Sequence, residues 1–428
     1  MHIVDGYGLE LTAGKEAAAA YNRGIDRVLR MRSGAVDSVA MAITLDPTFA
    51  LGHAALALFG HELCAQVDVA ARLRDAALHA RRSTVRERSH VHAIVQHVRG
   101  DSTPLVRHLE RYPRDALLLS TAVPTIAFAG VTSVPEEAWE NVERAEPAYG
   151  NDWFYAGLLA FIRQEQGRFD EAMDLSCASL AERPDAGHSA HARAHAHYET
   201  GDHVRGLGWM DEWVTGDGAA TDSLSHFSWH AALHELSMGD LDAVRARYRG
   251  QLRPEQGLGC RALVDTGSLL WRWALTPGAD DVPAMREVTR AVADGSLARP
   301  ATPFLGMHAA VALMALDDAA GLERLARWTA GHRDRTHAEV VAPLARAMKL
   351  MAEGRCSAAA DRLAELGPQV WRLGGSDAQR EVVEETRIAA LLRAGRYDEA
   401  REVLDRRLDR RLCRRDEDWL ARCTPVTA

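Results

Sequence analysis

Gln166-Gly167-Arg168-Phe169-Asp170-Glu171-Ala172 reads as a joint between two amphipathic helices. A Gly takes the left-handed conformation that ends a helix, and a nearby Asp caps the next one. The same joint recurs as Thr200-Gly201-Asp202, 34 residues on, and as Met238-Gly239-Asp240-Leu241-Asp242-Ala243, 38 residues further. Ala394-Gly395-Arg396-Tyr397-Asp398-Glu399-Ala400 repeats it near the end of the chain. Other helices close on a Pro-containing turn, as in Glu182-Arg183-Pro184-Asp185 and Leu45-Asp46-Pro47-Thr48-Phe49-Ala50.

A period of about 34 residues is that of the tetratricopeptide helix pair. The template predicts pairs from Gly14 to Met31 with Val36 to Leu45, Phe49 to Leu63 with Val67 to Ala80, and Thr84 to Val98 with Pro104 to Arg111. Ala116 to Ala129 pairs with Glu136 to Ala145, and three pairs containing the Gly joints come next. Leu263 to Ala274 then pairs with Val282 to Asp294, Phe304 to Leu316 with Ala319 to Ala330, His337 to Ala352 with Ser357 to Glu365, and Ser376 to Ala394 with Asp398 to Arg410. No stretch alternates with period two for long enough to make a strand. The expectation is an all-α chain: one α-solenoid of antiparallel helix pairs forming a single tetratricopeptide-like domain over residues 1–428. Each pair buries its apolar face by stacking on its neighbours.

The composition, 47% hydrophobic and 26% charged over 428 residues, is that of a globular protein. A formal charge of −9 argues against nucleic acid as the partner, because phosphate binding needs a concentrated basic face. The one basic run, Arg406, Arg407, Arg410, Arg411, Arg414 and Arg415, is broken by Asp405, Asp409 and Asp416 and reads as a solvated, salt-bridged helix end. Six cysteines at 64, 177, 260, 356, 413 and 423 include no C-x-x-C pair, which fits a reducing compartment. With no secretory signal and no apolar run of membrane-spanning length, the expected location is the cytoplasm, with no membrane partner. There is no P-loop, no H-E-x-x-H and no dinucleotide fingerprint.

The chemistry concentrates between His188 and His234. His188, His191 and His195 share one helix face, while His226, His230 and His234 lie along a stripe of a later helix. In a helix-pair solenoid the first helices of successive pairs stand side by side. His191 and His195, His226 and His230, Asp265 with Ser268, and His308 are thereby expected to face one concave pocket. Three readings stay open. One is acid/base chemistry on a small polar or anionic molecule. Here His195, His226 or His230 serves as acid/base, Asp265 and His308 orient it, and His191, Trp229 and Ser268 line the pocket. Another is a divalent metal held by these side chains, although no cofactor is required. The third is a scaffold that grips a protein or peptide without catalysis. Ser376 and Gln379 form a capping box in Gly374-Gly375-Ser376-Asp377-Ala378-Gln379-Arg380, and Gln379 with Arg380 could hold an anionic group at that helix start.

At several stretches the chain resembles the tetratricopeptide repeat protein 38 family and its bacterial members. These are Asp5-Gly-Tyr-Gly8 with Tyr21-Asn22, Arg86-Glu-Arg-Ser-His90-Val91, Tyr155-Ala-Gly157 with Phe161, and His191-Ala-Arg-Ala-His195-Ala-His197-Tyr-Glu199. His226-Phe-Ser-Trp229-His230, Asp265, His308 and Leu373-Gly-Gly-Ser-Asp-Ala-Gln-Arg380 continue the match in the same order. The resemblance implies an all-helical repeat protein and no settled reaction. Phe227 stands where the family has Asn, and Thr121-Ala-Val-Pro124-Thr-Ile stands where it has a polar His-Asp pair. The departures imply altered or lost family chemistry in this member.

Overall fold

Ala, Leu, Arg and Glu dominate the sequence and favour the helix, since they lose little side-chain freedom in it. The computed structural model describes residues 3–63, 65–123, 136–257, 260–293 and 295–423, with backbone alone at 136–138. Among the described residues there are twenty-four α-helices and no strand, only two isolated bridge pairs, Val4 with Glu10 and Arg32 with Thr221. The described residues are all-helical, as expected. Helices adjacent in sequence pack on each other, as Lys15–Leu29 does on Ala35–Leu45 and Trp153–Glu165 on Phe169–Glu182. The part of the expected Ala116 to Ala129 helix beyond 123, with Pro124, lies outside the described residues.

At the joints, Gly167, Gly201, Gly239 and Gly395 all have φ between +70° and +75°, where a side chain would be strained. Asp240 caps as expected, its side chain accepting from Ala243 N. Asp170 and Asp398 do not. The residue before each of those helices is an Arg, and the acids sit in the first turn, where they face the positive end of the helix dipole. The expected Leu263 to Ala274 helix is a π-helical turn, Ala262–Gly267, running into Ser268–Leu275. Its expected partner shortens to Met285–Ala291, because Pro283 disfavours helical backbone at Val282.

The chain forms two compact units. One comprises Met1–Ala196 with Thr215–Leu224, the other His197–Val214 with Ser225–Ala428. In the first, the 215–224 segment is tied to the Met31 turn: Asp222 N and Thr221 Oγ1 donate to Met31 O, and Ser33 N donates to Ala220 O. Its core holds Phe49, Phe59, Phe154 and Tyr155 among alanines. Burying each Phe contributes about 2–3 kcal/mol. Gly157 allows the close approach of the Trp153–Glu165 and Gly187–Glu199 helices, since a Cβ there would collide with Ser189.

The second unit is built around Trp229, Trp273 and Trp419, all fully buried. It also corrects the reading of the arginine run. Arg407, Arg411 and Arg415 are buried, and only Arg406, Arg410 and Arg414 face water. Arg407 pairs with Asp416 at 2.7 Å and Glu381 at 2.9 Å, and Arg411 with Glu199 at 2.9 Å and with Glu381. Arg415 and Arg272 share Glu385. The helix Tyr397–Arg410 ends before Arg411 and another starts at Arg414, and Arg407, Arg411 and Arg415 each turn inward to acids on other helices. The arginine stems bring apolar surface to that interior along with the charge.

Candidate functional site

The Leu224–Met238 helix is buried along nearly its whole length, so its polar side chains need partners inside the second unit. His226 finds one on the π-helical turn: its Nδ1 lies 2.9 Å from Asp265 Oδ1. A π turn adds a residue to the helical repeat and re-aims the side chains beyond it, and such turns are frequent at functional sites. One turn further along the same helix, His230 Nε2 lies 3.2 Å from His226 Nε2. The acceptors fix the protons. His226 Nδ1–H donates to Asp265 Oδ1, and in the neutral ring His226 Nε2 then accepts from the Nε2–H of His230. The result is a buried line of three groups, Asp265, His226 and His230.

Trp229 lies flat against His226, with ring centres 5.4 Å apart and planes 16° apart, and meets His230 edge-on. Two buried polar atoms beside the line make no hydrogen bond among the described residues: Asp265 Oδ2 and Trp229 Nε1. Arg272 stands 6.0 Å above the Trp229 ring.

The other expected residues divide. His234, third on the same stripe, leaves the line and pairs with His203, Nδ1 to Nδ1 at 3.0 Å. Burial first, and the neighbouring imidazoles second, hold His234 well below its usual pKa. His308 lies on the Pro303–Ala315 helix, which packs against the π turn. Its ring meets Phe304 edge-on, and neither nitrogen has a hydrogen-bond partner among the described residues. Burial, with Arg272 adding to it, pushes His308 down to about 3, so it is neutral. Ser268 Oγ accepts from Arg272 Nε at 3.2 Å, and Arg272 donates to Ala378 O at 2.6 Å and Gln379 O at 3.3 Å. Ser268 thus serves to anchor the Asp377–Arg393 helix.

Gln379 closes the expected capping box with Ser376. Gly374 and Gly375 both have positive φ, and a Cβ on Gly375 would strike the Phe304 ring. Arg380 donates to the carbonyls of Gly374 and Gly375 and pairs with Asp377. Gly374, Gly375 and Arg380 thus form one tight loop.

In the first unit, His191 and His195 stand Nε2 to Nε2 at 3.1 Å, both buried, with His191 stacked on Phe161. His188, on the same helix, meets Phe154 edge-on, and burial pushes it down to about 3.

One cluster was missed at the sequence level. Asp115 Oδ2 lies 2.7 Å from His90 Nδ1, 3.1 Å from His108 Nε2 and 3.3 Å from Arg86 Nη1. Burial would raise the Asp115 pKa, but His90 and His108 more than offset this and hold it well below the usual carboxylate range. The available signal was the four-residue spacing of Arg86 and His90 on one helix face, both inside the Arg86-to-Val91 motif. The His90, His108 and Asp115 donor atoms lie within 4.8 Å of one another, the donor types of a divalent metal site. Arg86 already places a positive charge on the same carboxylate oxygen.

No helix among the described residues is long and apolar enough to cross a membrane. No protein-family model matches the chain.

Proposed function

We propose that the chain is a helical-repeat enzyme that acts on a small polar or anionic molecule, with Asp265, His226 and His230 as its acid/base relay. The observation that carries this is the placement of His226 between a buried carboxylate and a second imidazole, at 2.9 and 3.2 Å. Asp265 holds the His226 ring in one tautomer and stabilises the imidazolium that forms when His226 takes a proton. His230 is the group through which that proton enters or leaves. In a buried, low-dielectric setting the charge-assisted bond to Asp265 is stronger than in water.

The tetratricopeptide-like solenoid is part of the same proposal. Its support is the left-handed Gly at each joint and the packing of helices adjacent in sequence. The motifs shared in order with the tetratricopeptide repeat protein 38 family support that kinship, and the unpaired spacing of the cysteines supports the cytoplasm. A scaffold gripping a peptide is the rival, but an Asp–His–His line buried against Trp229 offers a peptide backbone little to hold.

The test is untargeted. Untagged protein is incubated with a metabolite extract, and the mixture is followed by mass spectrometry. The wild type is expected to consume a small polar compound. His226→Gln and Asp265→Asn, checked by circular dichroism to be folded, are expected not to. If the folded variants consume the same compound at the wild-type rate, the relay is not catalytic. If nothing is consumed and a peptide library yields a ligand, the scaffold reading replaces it. Metal analysis of the same untagged protein, grown with added zinc, separates the relay from a metal-held site.

A further inference from the structure

We propose that the first unit carries a second, separate site: a zinc-type divalent metal site made by His90, His108 and Asp115, with its open coordination position on an adjoining cavity. The three side chains come from three elements. His90 lies on the Val85–Val98 helix, His108 on Thr103–Arg111, which packs against it, and Asp115 precedes Ala116–Ala122. All three are buried.

His90 Nδ1 and His108 Nε2 converge on one oxygen, Asp115 Oδ2, at 2.7 and 3.1 Å. A proton bridges each of these gaps, and a metal ion takes the place of both protons whatever charge either ring carries. A tetrahedral zinc, with bonds of about 2.0–2.2 Å, holds its ligand atoms roughly 3.4 Å apart, so each pair spreads by less than about 1 Å. Two imidazoles and a carboxylate without a thiolate suit zinc and its first-row neighbours, whereas calcium and magnesium take oxygen ligands. Two of the three ligands are also held from behind. His108 Nδ1 lies 2.9 Å from Ser89 Oγ. Asp115 Oδ1 caps the following helix, accepting from Leu118 N at 3.4 Å. Outer bonds of this kind orient the ligands of a metal.

Room for a fourth ligand adjoins the cluster. His90 and Asp115 belong to the wall of a cavity of about 190 Å³ that Asp5, Tyr21 and Asn22 also line. A water takes roughly 30 Å³ of liquid volume, so the cavity admits the ion and a water to complete its shell. Three protein ligands and one open position form a site that exchanges its fourth ligand. Arg86 is the group that opposes the ion. Its Nη1 is 3.3 Å from Asp115 Oδ2, longer than an ordinary N–H···O bond, while its Nη2 donates to Glu10 O at 2.6 Å. The ion displaces the weaker contact and leaves the guanidinium on Glu10 O.

The test is calorimetric titration of the untagged full chain, stripped with EDTA, with zinc chloride and with magnesium chloride as control. Cobalt(II) chloride, followed by visible absorption, reports the coordination number. Zinc is expected to bind, magnesium is not, and cobalt is expected to give the intense bands of a four-coordinate ion. His108→Gln and Asp115→Asn are each expected to remove one equivalent of zinc, whereas His195→Gln, in the other His pair of this unit, leaves that equivalent in place. Ser89→Ala, at a half-buried position, is expected to keep its circular dichroism and weaken zinc about tenfold or more. Absence of zinc binding up to millimolar concentration would overturn the proposal. So would magnesium binding as tightly as zinc, or zinc binding that both His108→Gln and Ser89→Ala leave unchanged. Should His108→Gln and Asp115→Asn fail to fold, Ser89→Ala and the cobalt spectrum decide: unchanged affinity or the weak bands of a six-coordinate ion count against the site. None of these residues belongs to the Asp265–His226–His230 relay. Zinc that His226→Gln retains and His108→Gln loses belongs to this site, so the two proposals fail independently.

Discussion

His226 reaches across 39 positions of sequence to place its Nδ1 2.9 Å from Asp265 Oδ1, with both side chains out of reach of water. Replacing Asp265 separates chemistry from folding. Asp265→Asn keeps an acceptor for His226 and is expected to change stability by about 1 kcal/mol or less, whereas Asp265→Ala leaves the His226 N–H unpaired and costs about 1–3 kcal/mol. Turnover of the compound found by metabolite screening is expected to fall by about 10²–10⁴ in both. Urea denaturation beside the rate assay checks this. An Asn variant as unstable as the Ala variant would make Asp265 a structural residue first.

The buried arginines make a second prediction. Glu385 lies 3.0 Å from Arg272 and also bonds Arg415. Glu385→Gln leaves both guanidiniums short of a counter-charge and is expected to cost about 3–5 kcal/mol in urea denaturation. Arg414→Ala, on the solvent side of the same segment, is expected to change the midpoint little. Equal effects from the two would mean that the inward arginines are not energetically distinct.

Acid sensitivity arises from imidazoles kept neutral. The folded pKa of His308 and of His188 is depressed to about 3, against 6.5 for an unfolded His. Below pH 6.5 the unfolded chain binds protons that the folded chain does not, so stability falls as pH drops from 6.5 toward 3. Each group contributes a slope of up to about 1.4 kcal/mol per pH unit once the unfolded form is protonated. His308→Met, similar in volume, is expected to flatten the stability profile between pH 6 and 4.5 by about that slope. A parallel profile for the variant would show that His308 does not carry the acid dependence.

Gly375 has φ +73° beside the Phe304 ring. Gly375→Ala combines backbone strain with overpacking and is expected to cost about 2–4 kcal/mol, while Gly395→Ala, with φ +70° but open space around it, is expected to cost about 1–2 kcal/mol. Thermal melting of the pair distinguishes strain from collision.

Much of the fold was legible because helix ends announce themselves locally. Gly167, Gly201 and Gly239 marked joints, and Ser376 with Gln379 marked a helix start, from spacing alone. The π turn around Asp265 was not legible, since its extra residue answers to packing rather than to a local pattern. His226 and His230 could be placed on one stripe because four residues make nearly a turn. The desertion of His234 to His203 could not, because that pairing joins two helices 31 positions apart. The Asp115 cluster stayed hidden for the same reason: Arg86 and His90 were visible as a spacing, but the carboxylate that binds them comes from the start of another helix.

The path of the backbone has a practical corollary. The first unit takes residues up to Ala196, gives up the next eighteen, and recovers Thr215–Leu224. No single cut therefore yields both halves whole. A fragment ending at 196 lacks the segment that bonds the Met31 turn, and one starting at 225 lacks the His203 partner of His234. Expressed alone, each is expected to be poorly folded by amide exchange, and since neither carries 197–224, adding the two together should not recover protection. Limited proteolysis within 197–224 should then nick the chain without releasing two independent bodies.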